Sequence, residues 1–190
     1  MKRNIIVAKK ALPSSLCEEI IELGKNKLNK GGVGSSEKGG VVNKEIRNSE
    51  ICFFNGSIPY FNLYKPLLEL VTYVNNTFYN FDITEPETFQ LTKYDEKNQG
   101  FYKPHEDGVY EGEANIPVRK LSMSIQLTSP KYYEGGQLEF PDDKKSFVEE
   151  DAREQGTAIF FPSYLKHGVK PVTKGVRYSL VSWFIGPSFR

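Results

Sequence analysis

Leu121-Ser122-Met123-Ser124-Ile125-Gln126-Leu127 alternates apolar and polar side chains without a break. Successive side chains of a strand point to opposite faces, so this stretch predicts a strand with one face on a core. Similar short runs lie on both sides of it. Upstream, Phe89, Leu91 and Lys93-Tyr94 open a strand-like segment from Glu87 onward. Asp95-Glu96-Lys97-Asn98-Gln99-Gly100 reads as a hairpin turn, with Phe101 to His105 as the returning strand. Downstream come Gly136 to Phe140, Thr157 to Phe161 and Arg177 to Ile185. Many short strands rich in aromatic and turn residues predict a sandwich or barrel of jelly-roll type.

The first half of the chain has a different period. Leu16, Ile20, Leu23 and Leu28 predict a helix over about 14–29, with Pro13-Ser14-Ser15 as N-cap and Glu18 and Glu19 near its first turn. Residues 29–49, which include Gly31-Gly32 and Gly39-Gly40, read as a polar loop that can serve as a lid. No Gly-Lys-Ser/Thr ends it, so a phosphate cradle is unsupported. Ile51 to Phe54 reads as a short strand. Tyr60 to Tyr79 reads as a second helix with an apolar stripe of Leu63, Leu67, Leu70, Val71 and Val74, and Pro66 at the first turn of its main part. The expected fold class is α+β. A helical part over about 1–85 packs on one face of a double-stranded β-helix (jelly-roll) core over about 86–186, in one domain of residues 1–190.

With 190 residues the chain can bury a substantial core. Its 25 basic and 24 acidic side chains nearly cancel, which argues against nucleic-acid or membrane binding through bulk charge. No apolar run reaches the roughly 18–20 residues of a membrane helix. Ile5 to Ala8 is too short for a secretory signal, so a cytoplasmic location is expected. Cys17 and Cys52 stand apart, with no CxxC, and predict neither a disulfide framework nor a thiolate metal site.

The chain has only two histidines. In His105-Glu106-Asp107, an extended backbone turns the imidazole and the Asp107 carboxylate to one face and Glu106 to the other. The second is His167. Two histidines and one carboxylate with the opposite positions open describe a non-haem Fe(II) site. Ten residues after His167 comes Arg177, which shares a strand face with Ser179 and Val181. A guanidinium pointing into a barrel needs an anionic partner, and a dicarboxylate fits its planar fork; taken by itself, Arg177 reads equally as an arginine on the solvent face or in a salt bridge. Ser179 can add a hydroxyl to the same carboxylate.

His-x-Asp, a distant His and Arg ten residues on resemble the Fe(II)- and 2-oxoglutarate-dependent dioxygenases, in their prolyl-4-hydroxylase-like branch and the PKHD-type hydroxylases. Phe101-Tyr102-Lys103-Pro104-His105-Glu106-Asp107 is similar to that family's aromatic-x-x-His-x-Asp segment. The stretch from Ser129 to Phe140 with Gly135-Gly136 resembles its strand–Gly-Gly–strand segment. Phe161-Pro162-Ser163 through His167, then Pro171 to Tyr178, resembles the PKHD-type C-terminal motif. The resemblance implies that His105, Asp107 and His167 ligate Fe(II) and that Arg177 binds the distal carboxylate of 2-oxoglutarate. It places Tyr94, Gln126 and Leu138 near the cosubstrate. It implies oxidative decarboxylation of 2-oxoglutarate by O2, coupled to C–H hydroxylation, with ascorbate as an auxiliary reductant. Asp107 favours hydroxylation over halogenation, because halogenating relatives lack this carboxylate.

The implied substrate is a prolyl residue of a peptide or protein, with a free amino acid or another small molecule as the alternative. The loops at about 29–49 and 108–117 carry no recognisable substrate code. Ile46-Arg47-Asn48-Ser49 resembles a family segment that meets substrate, although ordinary solvation of a loop residue is the favoured reading of Arg47. Three rivals stay open: a catalytically inert metal-binding domain or cupin-like enzyme, a carbohydrate-binding jelly roll, and a zinc hydrolase. Arg177 weighs against the first, and the paired histidines against the second. The third lacks a general base beside the metal, since Glu106 faces away.

Overall fold

The polar and apolar faces of the strands decide where everything else sits. The computed structural model describes residues 4–33, 41–54, 61–108, 117–143 and 152–189, with backbone only for 61–63. The strands are β1 (Ile6–Ala8), β2 (Asn29–Lys30), β3 (Arg47–Asn48), β4 (Glu50–Phe54), β5 (Glu85–Asp95) and β6 (Phe101–His105). They continue with β7 (Val118–Gln126), β8 (Tyr133–Gly135), β9 (Leu138–Glu139), β10 (Ala158–Pro162), β11 (His167–Val169) and β12 (Val172–Gly186). Two helices, α1 (Ser14–Gly24) and α2 (Phe61–Val74), lie between the early strands.

The larger sheet runs β1-β10-β7-β12-β5-β4-β2, with β8 added along β12, and the smaller runs β3-β6-β11-β9. Alternation sorts the larger sheet's side chains. Leu121, Met123 and Ile125 of β7, Phe89 and Leu91 of β5, Phe160 of β10 and Leu180 of β12 share one core. Cys17 and Ile20 of α1, and Leu67, Val71 and Val74 of α2, pack into that same core, so both helices cover this face. The opposite face carries Gln90, Thr92, Ser122, Ser124, Gln126, Arg177 and Ser179, all buried. Buried polar groups cost free energy unless they find partners. A polar face turned inward toward the second sheet therefore marks a binding interior. A second, smaller core with Tyr94, Leu138, Phe140, Phe161 and Val169 closes one side of it.

The jelly roll with helices on one face is as the sequence predicts, and several local features differ. The first 85 residues contribute four strands as well as helices. α1 ends at Gly24, where a Cβ would lie 2.5 Å from Leu91 Cδ2, and the chain re-enters the sheet as β2. Pro13 is the N-cap residue, with no side-chain hydrogen bond at the cap and no acidic residue in the first turn. Pro66 sits inside α2 rather than opening it, and a π-helical turn over 75–79 follows. Tyr60 lies outside the described residues, as does the Leu63 side chain. Asp95 to Gly100 is not a hairpin: β5 pairs with β12 and β4, whereas β6 pairs with β3 and β11. The turn instead carries the chain from one sheet to the other. Asp95 accepts from the Lys97 amide at 3.0 Å, and a Cβ at Gly100 would crowd the Asp95 nitrogen at 2.7 Å. Residues 29–49 are not a continuous loop, since β2 and β3 join different sheets and Val33 bridges Val41. Residues 34–40 and 109–116 of the two expected lids lie outside the described residues. Cys17 and Cys52 are free and buried. No helix among the described residues is long and apolar enough to cross a membrane.

Candidate metal and cosubstrate site

β6 and β11 are antiparallel neighbours, and their register sets His105 directly opposite His167. Asp107 follows the end of β6, where its amide donates to the Ser163 carbonyl at 3.0 Å. The ligand-capable atoms of His105, Asp107 and His167 all lie within 4.8 Å of one another. His105 Nε2 is 3.5 Å from Asp107 Oδ1, and His167 Nε2 is 3.4 Å from Asp107 Oδ2.

The neighbours fix how each group presents itself. His105 Nδ1 donates to the Lys103 carbonyl at 2.9 Å, and His167 Nδ1 to the Leu165 carbonyl at 3.0 Å. A carbonyl can only accept, so each proton sits on Nδ1 and each Nε2 lone pair faces Asp107. Burial pushes the His167 pKa below its ordinary value, which keeps the ring neutral and able to ligate. Burial alone would raise the Asp107 carboxyl, but positive charge at the His167 and His105 side, with the Ser122 hydroxyl, outweighs it and holds the carboxyl well below the usual carboxylate range; between two neutral rings, a divalent cation would supply that charge. Ser122 Oγ donates to Asp107 Oδ2 at 2.7 Å and lies 2.9 Å from Ser163 Oγ. Arg119 Nη1 donates to the Asp107 carbonyl at 3.3 Å. One carboxylate and two neutral imidazoles suit a divalent transition metal such as Fe(II). Ser122→Ala is expected to weaken Fe(II) binding by about 10–100-fold, as loss of an orienting partner does elsewhere, with the fold intact. An equilibrium metal titration measures it.

A cavity of about 850 Å³ opens on this triad. Its lining includes Arg177, 1% exposed, on the inward face of β12. Arg177 Nε donates to Gln126 Oε1 at 3.0 Å. Its two terminal nitrogens, Nη1 and Nη2, are buried with no hydrogen-bond partner among the described residues. A buried guanidinium fork left open in this way calls for an anionic ligand. Tyr94 lies across from Arg177 in the β5–β12 register, with its ring centre 5.4 Å from the guanidinium carbon. Burial raises the Tyr94 pKa, so its hydroxyl stays protonated. Tyr94, Ser179 and Leu138 all line the cavity. Gln126 stands behind Arg177 and meets the site through it.

Four residues were not singled out from sequence. Ser122 holds Asp107. Glu87 grips Arg119 through both carboxylate oxygens, at 2.8 and 2.5 Å. Trp183 lines the cavity with the Arg119 guanidinium 4.0 Å from its ring centre. Trp183 shares the parity of Arg177 along β12, and Ser122 is a polar position of the alternating stretch, so face periodicity carried both signals. Arg47 requires a correction. It is 7% exposed rather than solvated, because β3 pairs it with Tyr102 of β6.

Comparison with known proteins agrees with this geometry. A PKHD-type hydroxylase of Gloeothece citriformis is 37% identical over 84 residues, covering 43% of this chain and 36% of that relative. The chain thus spans little more than a third of that protein's length. The viral collagen prolyl hydroxylase of Paramecium bursaria Chlorella virus-1, solved with 2-oxoglutarate, superposes with a TM-score of 0.71 at 20% identity, covering 96% of each chain. A prolyl hydroxylase of Trichoplax adhaerens, solved with a peptide fragment of the hypoxia inducible factor oxygen degradation domain, gives 0.72 at 21% identity, covering 96% of this chain and 83% of that one. These likenesses establish the double-stranded β-helix fold. The family model of the 2OG-Fe(II) oxygenase superfamily matches residues 89–185, which hold both histidines, Asp107 and Arg177, and the chain belongs to that superfamily.

Proposed function

We propose that this chain is one dioxygenase domain, an Fe(II)- and 2-oxoglutarate-dependent hydroxylase of the prolyl-4-hydroxylase-like kind. The observation that carries this reading is the open, buried guanidinium fork of Arg177 on the same cavity as His105, Asp107 and His167. In this reading the triad holds Fe(II), and Arg177 takes the distal carboxylate of 2-oxoglutarate. Bound iron and cosubstrate supply the oxidising power: 2-oxoglutarate, O2 and a C–H bond yield succinate, CO2 and an alcohol. The chain's own residues do the positioning. Gln126 fixes the Arg177 fork, Ser179 and Tyr94 offer hydroxyls beside it, and Leu138 excludes water from that end. Ser122 and Arg119 hold Asp107 from two sides.

A prolyl residue of a peptide is the proposed substrate, on the strength of the prolyl hydroxylases that share the fold. Ascorbate as auxiliary reductant and a reducing compartment such as the cytoplasm accompany the proposal. An inert metal-binding or carbohydrate-binding module would have no use for the Arg177 fork. The test is succinate production from 2-oxoglutarate in air with Fe(II) and a prolyl peptide. Wild type is expected to form succinate faster with the peptide than without it, and His105→Ala to form none. Equal succinate from both proteins would overturn the proposal.

A further inference from the structure

Arg47 is the second buried guanidinium on the cavity, and no carboxylate among the described residues lies in ion-pair reach of it. It donates through Nε to Ser49 Oγ at 2.7 Å and through Nη1 to the Gly32 carbonyl at 3.1 Å. Its guanidinium carbon lies 4.7 Å from the Tyr102 ring centre. Among the described residues no carboxylate pairs with it. Arg119, the other cation near the triad, already has Glu87. The pocket that holds Arg47 is built for it. A Cβ at Gly31 would come within 2.9 Å of Arg47 Nε and 2.7 Å of Ser49 Oγ, so glycine there is what lets the guanidinium sit inside. The Gly31-Gly32 pair thereby has a role that the phosphate-loop reading did not supply. Tyr102 in turn stacks on His105, with ring centres 3.6 Å apart. One aromatic ring therefore separates Arg47 from the metal triad. Lys27 and Lys30 also line the cavity. At about 850 Å³ the cavity is near the upper end of small-molecule sites and holds a second ligand beside a five-carbon cosubstrate.

Burying a cation without an anion is costly, and a neutral substrate would leave that cost standing. We propose that Arg47 binds a carboxylate of the substrate, so that the hydroxylated molecule carries an acid group close to the carbon that reacts. This inference rests on the dioxygenase reading above. The carboxylate can belong to a free amino acid, to a peptide C-terminus or to an acidic side chain, and the probes separate these sources.

Trp183 is the only tryptophan in the chain and lines the cavity, so its emission reports ligands entering there. The protein is loaded anaerobically with Fe(II) and 2-oxoglutarate and titrated with matched pairs. These are free amino acids against their amides, N-acetyl dipeptides against their C-terminal amides, and C-amidated peptides with Asp or Glu against Asn or Gln. At least one carboxylate probe is expected to bind about 10–100-fold more tightly than its amide, the range for charge-assisted hydrogen bonds. Arg47→Gln abolishes that preference, and Arg47→Lys keeps part of it, while the 2-oxoglutarate titration stays at the wild-type value in both. No carboxylate preference in any pair, or one that survives Arg47→Gln, overturns the inference. So does a loss in Arg47→Gln of 2-oxoglutarate binding in place of probe binding. A wild-type protein that binds no 2-oxoglutarate overturns the dioxygenase reading itself, a distinct result.

Discussion

Asp107→Ala is expected to lose Fe(II) binding and turnover together. Asp107 supplies the only negative charge of the triad, and its side chain is 6% exposed. Without it, two neutral imidazoles face a divalent cation with no charge to compensate it. The variant also leaves the Ser122 hydroxyl without its carboxylate partner. The fold is expected to survive, because Asp107 lies beyond the end of β6 and its amide bond to Ser163 needs no side chain. An equilibrium Fe(II) titration beside a circular dichroism spectrum checks both statements. Wild-type iron affinity in a folded Asp107→Ala protein would show that the metal sits elsewhere.

Arg177→Ala is expected to act on the other ligand alone. Each charge-assisted hydrogen bond is worth about 1.5–3 kcal/mol, so losing a two-pronged contact raises the 2-oxoglutarate requirement by about 100-fold or more. Iron affinity should hold, since Arg177 lies on β12 of the larger sheet and is not one of the three metal-ligating groups. The protein should also stay folded. The two terminal nitrogens of Arg177 are buried with no hydrogen-bond partner among the described residues, and removing them relieves that cost while opening space beside Tyr94. Titrating 2-oxoglutarate against the iron-loaded variant measures the effect. Iron loss with unchanged cosubstrate affinity would make Arg177 a structural residue.

Much of this arrangement was legible because strands write their faces into alternate residues. The Leu121–Leu127 stretch shows both faces at once: the apolar set packs under the helices, and Ser122, Ser124 and Gln126 turn inward. The same parity puts Arg177, Ser179 and Val181 on one wall. With two histidines in the chain, the candidate imidazole ligands were fixed by count. What stayed hidden depends on partners distant in sequence. β2 and β3 are two residues each, too short to show a period, and exist through pairing with β4 and β6. The turn at Asp95–Gly100 has every local mark of a hairpin, but turn chemistry does not say which strand the chain pairs with next. Helical spacing ran on past Gly24, where α1 ends against Leu91 and Phe54 with no room for a Cβ. Arg47 looked like a solvated loop residue because its burial is made by Tyr102, over fifty residues later, and by the missing side chain of Gly31.

One cavity is proposed to hold Fe(II) on His105, Asp107 and His167 and 2-oxoglutarate on Arg177. Reconstituting the protein with Fe(II) without oxygen and adding 2-oxoglutarate tests it with no knowledge of the substrate. Wild type is expected to show a weak visible charge-transfer band, absent in His167→Ala and recovered in Arg177→Ala only at much higher 2-oxoglutarate. Iron that binds without the band, or a protein that binds no iron, would contradict it.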